Sequence, residues 1–329
     1  MNEPRPAVII GFEAKDEIRG VIERALGDCA DLRFIHGATP AERAHALDGA
    51  RALLTWRPHL ELDDDERRAL ARFGFIQCAA AGIDFVPFDK LPPNVPFACN
   101  AGAFSGAMAE HVMAMTLSAA KGLTDRYDRL KRGDFAQFDA TKTLAGAVVA
   151  ILGYGGIGQA LAKLLRPFGA RVHAINRSGK TDHAVDFIGT LADLDRVLKA
   201  ADVLVLTLSL NKTTRGLIDA RALGLMKQDA IFVNVARGPL IDQSALYAHL
   251  VANPKFSACL DAWWVEPFVH GRFELAHPFF DLPNFLGSPH NSAVIPGSIA
   301  KAIEIAALNV RRFLNGDTPL HIVTERDRA

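Results

Sequence analysis

Cysteine is scarce: Cys29, Cys78, Cys99 and Cys259 are the only four in 329 residues, far apart and mostly in apolar surroundings. They form no C-x-x-C pair, so neither a disulfide framework nor a cysteine metal site is expected, and buried reduced thiols are. A surplus of charge is also missing. The 37 basic residues match the 37 acidic ones and are mixed with them along the chain, which is not the footprint of a nucleic-acid or membrane surface. No apolar run is long enough to span a bilayer, and the opening MNEPRP lacks the charged-then-apolar layout of a signal peptide. Internal repeats and low-complexity tracts are absent. These absences predict a soluble, cytoplasmic protein with no bound metal and neither nucleic acid nor membrane as partner.

What is present is apolar and ordered. Half the residues are hydrophobic, and the length is comfortable for two domains with sizeable cores. The most informative stretch is Ala147–Gly158, AVVAILGYGGIG. Its apolar run reads as a buried parallel strand, Gly153, Gly155 and Gly158 complete G-x-G-x-x-G, and Gln159–Phe168 continues with helical periodicity. Gly153 allows a tight turn, Gly155 lets backbone amides approach a pyrophosphate, and Gly158 lets the helix pack close to the strand. The helix N-terminus adds unpaired N–H groups and the positive end of its dipole. The loop Gly153, Tyr154, Gly155, Gly156, Ile157 and Gly158 is therefore the candidate cofactor cradle.

Ahead of this stretch, strands are predicted at Ala7–Ile10, Leu32–Ile35, Ala52–Thr55 and Phe75–Ala79, with an amphipathic helix at Lys15–Leu26. The run Asp63-Asp64-Asp65-Glu66 is read as the N-cap and acidic first turn of a helix to Phe73 rather than as a metal site. The proline-rich Leu91–Pro96 approaches a domain boundary. Phe104–Leu123 reads as a long helix whose methionines suit core or subunit contact, and Asp125–Thr143 as a polar, irregular arm. After the glycine loop, strands are expected at Arg171–Ile175, Val203–Thr207, Ile231–Val235, Ser257–Leu260 and Phe285–Gly287. Helices Leu191–Ala200 and Gln243–Ala252 lie between them. Six strands with crossovers imply a doubly wound sheet. The closing helix, Ser298–Leu314, is free to return to the first domain. The expected division is 1–99 completed by 294–329, and 100–293.

Ligands in open α/β sheets bind beyond the carboxyl ends of the strands. In the second domain those ends are followed by the glycine loop, Asn176-Arg177-Ser178, Ser209-Leu210, Arg237, Glu266 and His290. In the first they are followed by Gly11-Phe12, Trp56-Arg57 and Ala80–Asp84. An arginine, a carboxylate and a histidine at one edge suit reduction of a 2-keto acid: a cation for the carboxylate, a proton donor for the carbonyl oxygen, and an anion to tune the donor. Taken singly, Arg237 also fits a turn cap, Glu266 a solvated loop and His290 a packed loop. His111, in mid-helix, is read as structural. Trp56, Arg57 and Trp263 fit a pocket wall and a packing role equally.

Over essentially its whole length the chain resembles the D-isomer-specific 2-hydroxyacid dehydrogenases. The matching blocks are AAGID (Ala80–Asp84), SGAMAEH (Ser105–His111), the glycine loop, VNVARGPLID (Val233–Asp242), DAWWVEP (Asp261–Pro267) and Ser288-Pro289-His290. The resemblance implies a flavodoxin-like substrate domain and a Rossmann dinucleotide-binding domain, both doubly wound parallel sheets, around a cleft. It implies that Arg237 binds the substrate carboxylate, His290 is the acid/base and Glu266 pairs with it. Ala81 and Gly82 would offer amides to the carboxylate, Ala236 would border the cofactor, and Asp261 would hold the nicotinamide carboxamide. A homodimer formed largely through the cofactor domain is implied as well.

Two departures stand out. After the histidine the family usually has glycine and threonine, whereas this chain has Asn291-Ser292-Ala293. The second cofactor strand usually ends in Asp, which would bind the ribose 2′-OH and repel a 2′-phosphate. Here Asn176, Arg177, Ser178 and Lys180 take that place and favour NADP over NAD. The expected function is hydride transfer between a nicotinamide and a small 2-keto acid of the glyoxylate or hydroxypyruvate kind, giving the D-hydroxy acid. A phosphite dehydrogenase-like enzyme and a dinucleotide-sensing, corepressor-like binding protein are the alternatives. Formate dehydrogenases resemble the pattern with glutamine where Glu266 stands.

Overall fold

A computed structural model describes residues 4–328 of the chain. Two compact units emerge, Met1–Phe104 with Ile295–Ala329, and Ser105–Val294. The first crossing falls after Phe104 rather than after residue 99. A short strand at Phe97–Ala98 extends the first sheet, and the Asn100 side chain then donates to the carbonyls of Ala79 and Ala302, 3.0 and 2.8 Å away.

In the first unit β1 (Ala7–Ile10), β2 (Asp31–Phe34), β3 (Ala50–Thr55), β4 (Phe75–Cys78) and β5 (Phe97–Ala98) form a parallel sheet of order β2-β1-β3-β4-β5. This is the flavodoxin-like winding. Successive β1 residues enter opposite cores, Val8 and Ile10 on one face and Ala7 and Ile9 on the other, as the two-residue period of a strand requires. The helix Ser298–Leu314 lays Ile303, Ala306, Ala307 and Val310 on the first of those faces, so the end of the chain completes the first unit. Asp63 caps the helix Asp64–Ala69 in a reciprocal box with Glu66. Glu66 also takes a bidentate ion pair from Arg43 at 2.6 and 2.7 Å. The acidic run is thus a cap.

The second unit contains β6 (Val148–Leu152), β7 (Arg171–Ile175), β8 (Phe187–Gly189), β9 (Val203–Leu206), β10 (Ile231–Asn234), β11 (Ser257–Leu260) and β12 (Phe285–Gly287). Their order is β12-β11-β10-β9-β6-β7-β8, all parallel, and the winding reverses between β6 and β9. The helix Ser105–Lys121 packs Ala109, Val112, Met113, Met115 and Ala120 on one face, against Val149 and Ile151 of β6. Ala150 and Leu152 face the other way, towards Leu246 and Leu250. The methionines Met113 and Met115 are core.

Two expectations need correction. The sheet has seven strands, not six, because β8 is only three residues long and no helix announces it: residues 176–186 cross from β7 as a loop. A helix, Leu123–Lys131, reaches into the segment from Asp125 expected to be irregular. All four cysteines are free, and burial pushes the Cys78 and Cys259 thiols up to about 12. Among the described residues no helix is long and apolar enough to cross a membrane, and no cluster of three His, Cys, Asp or Glu could hold a metal.

Candidate active site

The glycine loop leaves β6 through Gly153, whose φ of 102° lies where a side chain is strained. A Cβ there would also sit 2.5 Å from the Leu208 nitrogen. Thr207 clamps the turn by donating its hydroxyl to the Gly153 carbonyl at 2.8 Å. The amides of Gly153 and Tyr154 both donate to the Ile175 carbonyl at 2.9 and 3.0 Å, and that of Gly155 to the Gly153 carbonyl at 2.8 Å. These three residues therefore shape the loop, and the Tyr154 ring is buried in the core. The amides of Gly156, Ile157 and Gly158 open the helix Gly156–Leu165, where no intrahelical acceptor exists for them. A Cβ on Gly155 would meet nothing within 4 Å, while one on Gly158 would lie 2.8 Å from the Gly153 carbonyl oxygen. Open space over Gly155 and first-turn amides without intrahelical acceptors fit a pyrophosphate.

At the end of β7 Asn176 closes a turn on itself. Its Nδ2 donates to the Lys180 carbonyl at 2.7 Å, and its Oδ1 accepts the Ser178 and Gly179 amides at 3.1 and 2.7 Å. Asn176 is thus the builder of this turn, and Arg177, Ser178 and Lys180 are exposed on it.

Arg237 follows β10 and is presented by Asn234, which lies wholly buried at the strand end. The Asn234 Nδ2 donates to the Arg237 carbonyl at 2.9 Å and its Oδ1 accepts the Ala236 amide at 3.0 Å. The Ala236 carbonyl accepts from the Arg237 guanidinium at 2.8 Å. Both backbone groups of Ala236 thus serve the turn. Gly238 packs so tightly beneath it that a Cβ would lie 2.1 Å from the Trp263 carbonyl carbon.

That Trp263 begins the segment leading to Glu266. The Glu266 side chain is buried, accepts the Trp263 amide through Oε1 at 3.3 Å, and meets His290 Nδ1 through Oε2. Burial works to raise the Glu266 carboxyl, but the His290 contact, the Trp263 amide and the nearby Arg237 charge outweigh it, leaving the group below its ordinary value. With Nδ1 turned to a carboxylate, Nε2 is the ring atom left to exchange a proton. The backbone of His290 has a φ of 51°, a left-handed conformation that costs a non-glycine residue about 1–3 kcal/mol and persists only where its surroundings impose it.

Asp261, at the end of β11, has no exposed surface. Its oxygens accept the Ser288 hydroxyl at 2.5 Å and the Asn291 and Ser292 amides at 3.1 Å each. Burial would raise this carboxyl, yet those donors outweigh it and hold it below the ordinary value. The carboxylate reaches the loop after β12 in addition to any cofactor role. Ala81 and Gly82 lie half-buried in the irregular segment after β4, in the other unit. Trp263 is buried among Phe273, Phe280 and Phe285 and donates Nε1 to the Ser288 carbonyl at 2.9 Å, so packing claims it. Sequence reasoning passed over Asn234 and Thr207, although Asn234 sits inside the VNVARG block. It read His111 as structural, and His111 Nε2 lies 3.0 Å from the Ser288 hydroxyl.

A seven-stranded Rossmann sheet with an open glycine loop and a paired carboxylate and histidine at its carboxyl edge defines an NAD(P)-dependent oxidoreductase. The family model described as D-isomer specific 2-hydroxyacid dehydrogenase, NAD binding domain, matches residues 113–292, more than half of the chain. The chain belongs to that family. It is 27% identical over 291 residues to a glyoxylate reductase of Thermococcus onnurineus, covering 86% of this chain and 84% of that relative. Over 304 residues it is 27% identical to a D-3-phosphoglycerate dehydrogenase of Methanocaldococcus jannaschii, 91% of this chain but only 56% of that protein's length. Its fold is similar to the crystal structure of a D-isomer specific 2-hydroxyacid dehydrogenase from Xanthobacter autotrophicus in complex with NADPH and MES. That comparison has a TM-score of 0.78 and 26% identity over 99% of this chain and 100% of the other.

Proposed function

We propose that this enzyme reduces small 2-keto acids of the glyoxylate or hydroxypyruvate kind to D-hydroxy acids, with NADPH preferred over NADH. The observation that carries the reading is the His290 imidazole held through Nδ1 by the buried Glu266 carboxylate, with the Arg237 charge acting on the same carboxylate. A nicotinamide bound at the sheet edge supplies the hydride. Arg237 holds the substrate carboxylate with its planar fork and orients the adjacent carbonyl. His290, held through Nδ1 by Glu266, gives the Nε2 proton to the carbonyl oxygen as negative charge develops there. The amides of Gly156, Ile157 and Gly158 bind the pyrophosphate.

The preference for NADPH is supported by the turn after β7. It has no strand-end carboxylate, and Asn176 holds it so that Arg177 and Ser178 are exposed. The Xanthobacter relative binds NADPH, and the Thermococcus relative is a glyoxylate reductase. The proposal includes a homodimer. On the helix Leu123–Lys131 the exposed Leu123, Tyr127 and Leu130 recur at helical spacing, and beyond it Phe135 and Phe138 are 72% and 91% exposed. A second copy of the chain would bury them. Free thiols suit a reducing compartment, and the proposal places the enzyme in the cytoplasm.

The test is turnover of a 2-keto acid panel with each nicotinamide, beside phosphite oxidation, for the wild type and His290→Ala. Keto-acid reduction that falls by about 10²–10⁴ in the variant, with cofactor affinity intact, is expected. Dinucleotide binding without reduction, turnover of phosphite instead, or full activity in His290→Ala would overturn the reading.

A further inference from the structure

Holding His290 in a left-handed conformation requires contacts that its own β12 does not provide. The Ser288 amide continues the sheet by donating to the Leu260 carbonyl at 2.9 Å, and from there the loop departs from strand geometry. Three of the roughly four lone-pair directions of the Asp261 carboxylate are then occupied by this loop: the Ser288 hydroxyl, the Asn291 amide and the Ser292 amide. These donors lie on both sides of His290, so the carboxylate spans the residue like a staple. Two of them are backbone amides, those of Asn291 and Ser292.

The staple has a second tier. A serine hydroxyl has one proton, and at 2.5 Å from a carboxylate that proton goes to Asp261. The Ser288 oxygen can then only accept from His111, whose Nε2 lies 3.0 Å away and must carry hydrogen. His111 Nε2 is 3.8 Å from the Asp261 oxygen itself, so attraction to the carboxylate reinforces the link when the ring is charged. The ring stands on the helix Ser105–Lys121, whose buried face packs against the sheet. A fixed core element is thereby connected through one hydroxyl to the loop that carries the proton donor.

We infer that His111, Ser288 and Asp261 form a relay of positioning residues that sets His290 for proton delivery. The inference rests on the reading of His290 as that donor. The relay transfers no proton to substrate; it fixes where the imidazole stands. Without the Ser288 hydroxyl, one end of the staple opens and the imidazole can relax from its strained setting while Glu266 still holds Nδ1. Displacement of about 1 Å in a reacting group costs up to about 10²-fold in rate.

The experiment compares Ser288→Ala, Ser288→Thr, His111→Gln and Asp261→Asn with the wild type and His290→Ala. It reads kcat, cofactor Kd by nicotinamide fluorescence, the solvent deuterium isotope effect on kcat, and the downfield proton resonance of the His290 Nδ1–H. Ser288→Ala is expected to lose about 10–100-fold in kcat, with cofactor Kd within about twofold. Its solvent isotope effect should rise, because proton delivery becomes limiting, and its downfield resonance should move. Ser288→Thr keeps the hydroxyl and should recover most of the rate, and His111→Gln should lose less than Ser288→Ala. If Asp261→Asn does not fold, the serine and histidine variants carry the test. Wild-type kcat and an unmoved resonance in Ser288→Ala, with His290→Ala inactive, overturn the relay alone. Weakened cofactor binding with an unchanged isotope effect overturns it too, in favour of Asp261 as a cofactor ligand only. Full activity in His290→Ala instead overturns the reading of His290 on which the relay depends.

Discussion

Replacing Gly238 with alanine should damage the site and the fold together, for a reason that can be worked from distances. The added Cβ would lie 2.1 Å from the carbonyl carbon of Trp263, 2.3 Å from its oxygen and 2.4 Å from the Trp264 nitrogen. Carbon atoms in contact sit about 3.5–4.0 Å apart, so one backbone segment has to retreat by more than about 1 Å. None of the three atoms belongs to a flexible side chain that could swing away. One segment carries Arg237, and the other leads to Glu266, whose Oε1 accepts the Trp263 amide. Overpacking of this kind costs about 1–3 kcal/mol, which in a unit of this size lowers Tm by roughly 2–12 °C. A 1 Å misplacement at the reacting groups adds about 10²-fold in kcat/KM. The assay is thermal unfolding together with steady-state reduction measured well below Tm. Gly155→Ala is the contrasting control, because its Cβ would meet no protein atom within 4 Å. Its Tm should stay put while cofactor KM rises. Wild-type Tm and kcat/KM within twofold in Gly238→Ala would refute the packing argument.

Glu266→Gln replaces the carboxylate that holds His290 Nδ1 with a neutral amide, so kcat for keto-acid reduction should fall with cofactor affinity intact. A charge-assisted hydrogen bond of about 1.5–3 kcal/mol corresponds to roughly 10–100-fold in rate, and an unchanged kcat would sink the pairing. Arg237→Lys keeps the charge but loses the planar fork, so KM for keto acids should rise and kcat fall with dinucleotide affinity unchanged; equal kinetics would show that the fork is not used. Asn176→Asp with Arg177→Ala should reverse a roughly 10–100-fold preference for NADPH, read as kcat/KM for both cofactors at one ionic strength. The aspartate would also lose the amide bond to the Lys180 carbonyl, loosening the turn, and a wild type that prefers NADH would end the 2′-phosphate reading.

Local patterning determined the parts of this protein that depend on near neighbours. Apolar runs in β6, β9, β10 and β11, each buried along nearly its whole length, announce themselves as parallel strands, and the 3.6-residue period of Ser298–Leu314 announces a helix. The glycine spacing and the residues after each strand point to the glycine loop and to Arg237, Glu266 and His290. Strand β8 escaped because three residues set no period, and Leu123–Lys131 because its apolar residues face outward among charges. Only tertiary structure could decide the rest. The bond between His111 and Ser288 joins residues 177 positions apart, and no local period encodes such a meeting. The same holds for Asp261 on the His290 loop, for Gly238 pressed against Trp263, and for Asn176 as the builder of its turn. Residue type limits which hydrogen bonds a side chain can make; the folded chain decides which partner arrives.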